Sequence, residues 1–355
     1  MSGAISSTLG LMPNLLRGID TLSTRNEALT AEENSGVVSN SFAGLGAQTY
    51  TALSLQPQIT ATTAWQTNLS ESQTKLSATQ TALTGISAIA SDLQSSLLSL
   101  TALSSPSEVA SVSAKAKQQL TELGALLNTQ SGANYVFAGT ASDQPPVSSS
   151  DLASTGLVSS IISTVASVGT TGVAATEGAA LAAASDNSPA GSVFSAQLST
   201  SAVLAQGSVP QLQIGQGETI ANGIVATQGG AANAQSTGSP IRDLIMALAS
   251  AAGLAGADPS SAGFTQLVTD TASHMADVGQ RIQGLIAQVG QTQATVTAQS
   301  STLSDVNKAL QAQLGNIMNV DEATVISQQN ATQTQLTASY TLIADMKTLT
   351  LAQYL

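Results

Sequence analysis

Cysteine is absent from the sequence. That excludes a disulfide framework, a thiolate metal site and a cysteine nucleophile, and it is compatible with export and assembly outside the cell. Histidine is nearly absent: His274 stands alone, so a histidine-based metal site has no second ligand to draw on. No motif around it supports Ser–His–Asp catalysis, and it reads as a helix-surface residue. Aromatic residues are 3 % and charged residues 8 % of the chain. Bulky anchors for a deep pocket are therefore scarce, and small residues supply the seams between elements. The 9 Lys and Arg are dispersed along a chain of net charge −12, whereas phosphate binding needs them clustered. Lys115 and Lys117, the nearest pair, would point to different faces of a helix. Nucleic acid is not an expected partner.

Other chemistry is missing as well. Gly215-Gln216-Gly217 lacks the third glycine of a dinucleotide loop, because Ile220 occupies its place. Glu32-Glu33 and Asp321-Glu322 are adjacent carboxylates, and adjacent helical residues do not converge on one point. No catalytic residue, cofactor or metal is expected. The N-terminus has no basic segment followed by an apolar one, so a Sec signal peptide is not expected. Uncharged Leu152 to Thr176 is the one candidate for a membrane span. Its large apolar residues are too sparse, and no membrane insertion is expected.

What the chain has is helical periodicity. Leu15, Ile19, Leu22 and Leu29 share one helical face, with Pro13 suited to a first turn and Gly36 to a left-handed cap. A long helix is expected from about 47 to 103, with Pro57 near its first turn. Leu69, Leu76, Leu83, Ala90 and Leu97 recur every seven residues, and Trp65, Ile86, Leu93 and Leu100 fall on the second register, with Ser72 and Thr79 as polar breaks. Ser105-Pro106-Ser107-Glu108 is a capping box opening a second helix, an antiparallel partner to the first. The stretch 148–235 is rich in Gly, Ser, Ala and Thr and has no heptad. Val209 to Ile214 alternates like a strand before a Gly-rich turn, and Asp186-Asn187-Ser188-Pro189 reads as a loop.

Helix returns near Ile241. Met275, Ile282, Val289, Val296, Leu303, Leu310 and Ile317 recur every seven residues, with Val278, Leu285, Val306 and Val320 on the partner register. Such a repeat implies helices wound side by side. The N- and C-terminal heptads are expected to pair, which makes the middle an insertion. Asn319 is read as the cap of a last helix, with Glu322 at its third position and Val325, Leu336, Tyr340, Ile343 and Leu351 on its apolar face. Tyr354 and Leu355 follow without a polar tail. Such a surface is an aggregation hazard in a monomer and is covered by neighbours in an assembling protein.

The expected fold is mainly α: long heptad-patterned helices from both termini in an elongated coiled-coil-like bundle, with a small β-containing or mixed domain inserted. Its expected parts are an assembly helix at 1–45, a helical hairpin at 46–147, an outward-facing insertion at 148–240, return helices at 241–318 and a closing assembly helix at 319–355.

Three segments carry a resemblance. Gln335-Leu336-Thr337-Ala338-Ser339-Tyr340 and Leu349-Thr350-Leu351-Ala352-Gln353-Tyr354-Leu355 resemble a closing helix with "LQASY" and a "LLNYL"-type end. Asn134-Tyr135-Val136-Phe137-Ala138-Gly139-Thr140, followed by Asp143 and Pro145-Pro146, is similar to "GxYxFAGT…D…PPF". Ser35-Gly36 through Gly46 falls where "SGKRINSPSDDPAGLA" stands, though Ser39-Asn40-Ser41-Phe42 replaces its Asp pair. Together these resemble the bacterial flagellin family, and within it the hook-associated protein 3, or hook–filament junction, branch. The likeness covers roughly 1–147 and 265–355.

The resemblance implies a non-enzymatic structural subunit that joins hook to filament in an extracellular flagellum. Its implied partners are copies of itself, flagellin, another hook-associated protein and an export chaperone, and its implied route is type III export without cleavage. The terminal helices would form an inner tube, with the long heptad helices as the next layer. A filament-forming flagellin is the near rival. A type III secretion translocator acting on membranes is a distant one.

Overall fold

A computed structural model describes residues 3–39, 41–100 and 104–351. The chain is mainly helical. In order come α1 (Gly3–Ser35), a 3₁₀ stretch at Phe42–Gln48, α2 (Thr49–Leu98), α3 (Pro106–Leu127), the two-residue strands β1 (Gln130–Ser131) and β2 (Asn134–Tyr135), α4 (Gly156–Ala166), the single turn α5 (Val168–Thr171), α6 (Val173–Ala184), the single turn α7 (Ala202–Ala205), β3 (Gln211–Gly215), β4 (Glu218–Ala221), α8 (Pro240–Gly253), α9 (Ala262–Met318) and α10 (Glu322–Leu351). The strands form two separate antiparallel hairpins. No helix among the described residues is long and apolar enough to cross a membrane. The uncharged stretch beginning at Leu152 is instead broken into α4, α5 and the start of α6.

The chain divides into two compact units, Met1–Thr63 with Ser304–Leu355, and Ala64–Leu303. The helices α2 and α9 contribute residues to both. The expected seams at 147/148 and 240/241 are not seams in the packing. One apolar core joins Leu83 and Leu120 of the helical hairpin, Val158, Leu198 and Ile214 of the middle, and Ile282 of the return helix.

In the larger unit, the heptad residues Leu69, Leu76, Leu83, Ala90 and Leu97 of α2 are all buried, as are Met275, Ile282, Val289 and Val296 of α9. Ser87 on α2 accepts a hydrogen bond of 2.8 Å from Gln283 on α9, so the two helices meet. The partner register of α9 does not persist. Val306 is 42 % exposed and Asn307 is buried. Asn307 lies one turn beyond the buried Leu303 and donates to Thr62 Oγ1 and Thr63 Oγ1 at 3.0 Å each.

The capping box at α3 is complete: Ser105 Oγ accepts from the Glu108 amide, and the Glu108 carboxylate accepts from the Ser105 amide at 2.6 Å. These bonds hold the Glu108 carboxyl below its ordinary pKa. The alternating stretch forms β3, paired antiparallel with β4 across Gly217, whose φ is +79°.

Helix α8 is buried on nearly every side, packing on α3, α4 and α6. Its small residues make this possible. A Cβ at Gly253 would lie 2.8 Å from the Val165 Cβ. Two adjacent charges on α8 organise the loops. Arg242 donates to the carbonyls of Ala184, Leu198 and Thr200 and to Asn187 Oδ1, and its guanidinium stacks on Phe194 at 5.1 Å. Burial lowers its pKa to about 10, with Asp243 acting the other way. Asp243 has no exposed side-chain surface and pairs with Arg281 at 2.8 Å. It also accepts from Ser236 Oγ at 2.5 Å and from the Thr237 amide and hydroxyl at 2.8 and 2.7 Å. The periodic pattern of the chain carried no sign of either role.

Candidate assembly interface

The smaller unit brings the two ends of the chain together. Helices α1 and α10 pack on one another. Arg25 donates to Gln328 Oε1 and Gln329 to Thr30 Oγ1, and Val37 bridges Asn319 antiparallel. The Val38 amide donates to the Met318 carbonyl, and the Val320 amide to Gly36. The end of α1 therefore lies beside the start of α10, and the two helices run antiparallel. Gly36, at φ +70°, ends α1 as its sequence suggested. Pro13 lies inside α1 rather than in a first turn, and Pro57 lies inside α2.

The cap of α10 is a correction to the sequence reading. Asp321 Oδ1, not Asn319, accepts from the Ala323 and Thr324 amides at 3.1 and 3.4 Å. Asn319 is occupied in the bridge to Val37, so the helix cannot begin until the bridge ends.

Leu29 and Val325 are buried between the helices, while Leu15, Ile19, Leu22, Leu336 and Ile343 are half-buried. Tyr340 is 56 % exposed. The side chain of Leu351 is not described, and Tyr354 and Leu355 lie outside the described residues. On the described parts of α1 and α10, three further apolar residues stand out in solvent: Leu16 at 55 %, Ile326 at 43 % and Leu342 at 49 %. They escaped the sequence reading because it followed one register. The signal was present as doublets: Leu15-Leu16, Val325-Ile326 and Leu342-Ile343. Successive residues lie about 100° apart around a helix. One member of each doublet therefore turns inward and the other cannot be covered by the same partner. The apolar arc is wider than a two-helix seam.

The Tyr135–Thr140 motif is a different kind of site. Phe137 is fully buried, Ala138 and Gly139 are buried, Tyr135 is half-buried and Thr140 is exposed. The Phe137 carbonyl accepts from the Ala226 amide at 3.0 Å. Gly139 has φ +71°, and a Cβ there would lie 2.6 Å from the Ser208 carbonyl oxygen and 2.7 Å from Val225 Cγ1. The motif is a core knot on which the middle of the chain is tied.

No family model and no curated protein matches the chain. Among the described residues no group of three His, Asp or Glu side chains is placed to hold a metal ion. His274 is half-buried rather than a free surface residue, and its Nε2 is shielded from solvent without a hydrogen-bond partner.

Proposed function

We propose that this chain is a non-enzymatic structural subunit of the bacterial flagellum that joins hook to filament by coaxial packing of its terminal helices with those of neighbouring subunits. The carrying observation is the width of the apolar arc on α1 and α10. Each helix has a partner, yet Leu16, Ile326, Tyr340 and Leu342 remain substantially exposed. Single exposed apolar residues are ordinary, but a set of them rimming one helix pair marks an interaction surface. Burying the exposed half of each contributes roughly 1 kcal/mol per side chain, so neighbours that between them cover all four gain on the order of 4 kcal/mol before the cost of association.

The resemblance of the closing helix and of the Tyr135–Thr140 segment to the hook–filament junction branch of the flagellin family supports the same reading. In it, the long heptad helices wind side by side as a coiled-coil-like layer, and the middle of the chain faces outward. The subunit is exported unfolded through the flagellar type III apparatus with a chaperone, and it acts outside the cell beside flagellin and another hook-associated protein.

Electron microscopy of a strain lacking the chain tests the proposal. Hooks without filaments, with flagellin monomers in the medium, are the expected result. Normal filaments overturn it. Long filaments assembled by the purified chain alone would identify a filament flagellin instead.

A further inference from the structure

In the larger unit, α2 touches the segment that leaves β4. Asn222 directly follows β4 and is half-buried, and its side-chain oxygen accepts a hydrogen bond of 2.8 Å from Ser72 Oγ on α2. Its own amide donates to the carbonyl of Pro210, just before β3. Gly223 comes next, at φ +105°. The Gly223 amide has no hydrogen-bond partner among the described residues, and a Cβ built on this residue would lie 3.9 Å from Lys75 Cε. Lys75 stands three residues after Ser72, so the two are neighbours on one face of α2. It is half-buried and makes no hydrogen bond or ion pair among the described residues, and burial holds its amine below the ordinary pKa. Asn222 is the one asparagine in the chain that precedes a glycine.

We propose that Asn222 is a self-modification site, at which the side-chain amide becomes a carboxylate that pairs with Lys75. The Gly223 amide nitrogen has no competing hydrogen bond and no side chain beside it. It attacks Asn222 Cγ and gives up its proton. The Cγ–Nδ2 bond breaks, ammonia leaves with that proton, and a succinimide ring closes. Water opens the ring at either carbonyl and leaves aspartate or isoaspartate. While Cγ is tetrahedral its oxygen carries negative charge, and the Ser72 hydroxyl is already donating to that oxygen. Afterwards the same hydroxyl donates to the carboxylate. The new charge forms beside an amine that has no counter-ion, and an opposite charge so near favours the protonated lysine against its burial. A contact held by a neutral hydrogen bond thus gains an ion pair. The proposal is independent of the assembly reading, and either can fail alone.

The test incubates the full-length protein in mildly alkaline buffer made with heavy-oxygen water and maps its peptides by mass spectrometry. Asn222 is expected to take up one heavy oxygen and to yield isoaspartate as well as aspartate. Asn222→Gln, whose longer side chain closes a ring far more slowly, should stay unmodified. Asn222→Asp stands for the product. It should raise the urea midpoint, and the gain should vanish when Lys75→Met is present in both chains compared. An Asn222 amide still intact once a free peptide of residues 219–226 has converted overturns the proposal. So does a midpoint that fails to rise in Asn222→Asp, or that rises equally with Lys75→Met. If Lys75→Met fails to fold, the Lys75 amine is titrated by NMR in the Asn222→Asp chain. Its pKa must move up relative to the unmodified chain, and an unchanged value overturns the pairing.

Discussion

Asp243→Asn changes one oxygen to an amide and leaves the shape of the side chain intact, which isolates the charge. The aspartate is wholly buried and gathers an ion pair with Arg281 and three hydrogen bonds from Ser236 and Thr237. The asparagine oxygen can keep the two Thr237 bonds. Its NH₂ then meets the Ser236 hydroxyl and the Arg281 guanidinium, and the latter has nothing to accept with. Removing one partner of a buried pair costs about 3–5 kcal/mol. Arg281 is partly exposed and retains Asp277 at 3.6 Å and the Gly238 carbonyl, so the lower end, about 3 kcal/mol, is expected. For a unit of this size that lowers Tm by roughly 10 °C.

Urea unfolding followed by circular dichroism, with the slope unchanged, is the assay. A second variant, Arg281→Met, and the double variant close the cycle, and the two changes should be non-additive by about 2 kcal/mol. A loss under about 1 kcal/mol, or strict additivity, refutes the claim that this pair anchors the loop carrying Ser236 and Thr237.

Three other outcomes are expected. Gly139→Ala meets both a positive φ and the close Ser208 carbonyl, so it should destabilise the larger unit by about 2 kcal/mol or more in urea titration. Leu16→Ser with Leu342→Ser also removes the covered half of each side chain, so it should lower monomer stability by about 1 kcal/mol per site and raise the half-saturating concentration for isolated hooks roughly thirtyfold, at a further loss of about 1 kcal/mol per site. The third concerns pH. The lowered Glu108 carboxyl contributes stability that is present above the ordinary carboxylate pKa and lost as pH falls through its folded value. The Glu177 carboxyl, raised by burial and next by the Asp270 charge, contributes stability present below the ordinary pKa and lost as pH rises through its folded value. Unfolding free energies from about pH 3 to about pH 7 should show Glu108→Gln removing part of the acid loss and Glu177→Gln removing part of the loss on the neutral side.

The helices were legible because their signals are local. The Ser105–Glu108 box works within one turn, and the repeat from Met275 to Ile317 persists too long to arise easily by chance. The stripe on α1 and α10 was legible in part. Leu29 and Val325 were read on apolar faces left for neighbours to cover and are instead buried within the chain, while Leu16, Ile326 and Leu342 were passed over because a single register describes a seam and not an arc.

Sequence by itself determined where helices form and which faces are apolar, because capping and periodicity are set by neighbours within a few residues. Tertiary structure decided what each polar group meets. Arg242 and Asp243 look ordinary in the chain and become a loop anchor and a buried ion pair only when 184–200 and 236–239 fold against α8 and α9. It decided also that Asp321 caps α10, because the bridge from Val37 occupies Asn319. Apart from Ser236 and Thr237, seven and six residues before Asp243, those partners lie tens to hundreds of residues away, and no periodic pattern encodes who arrives.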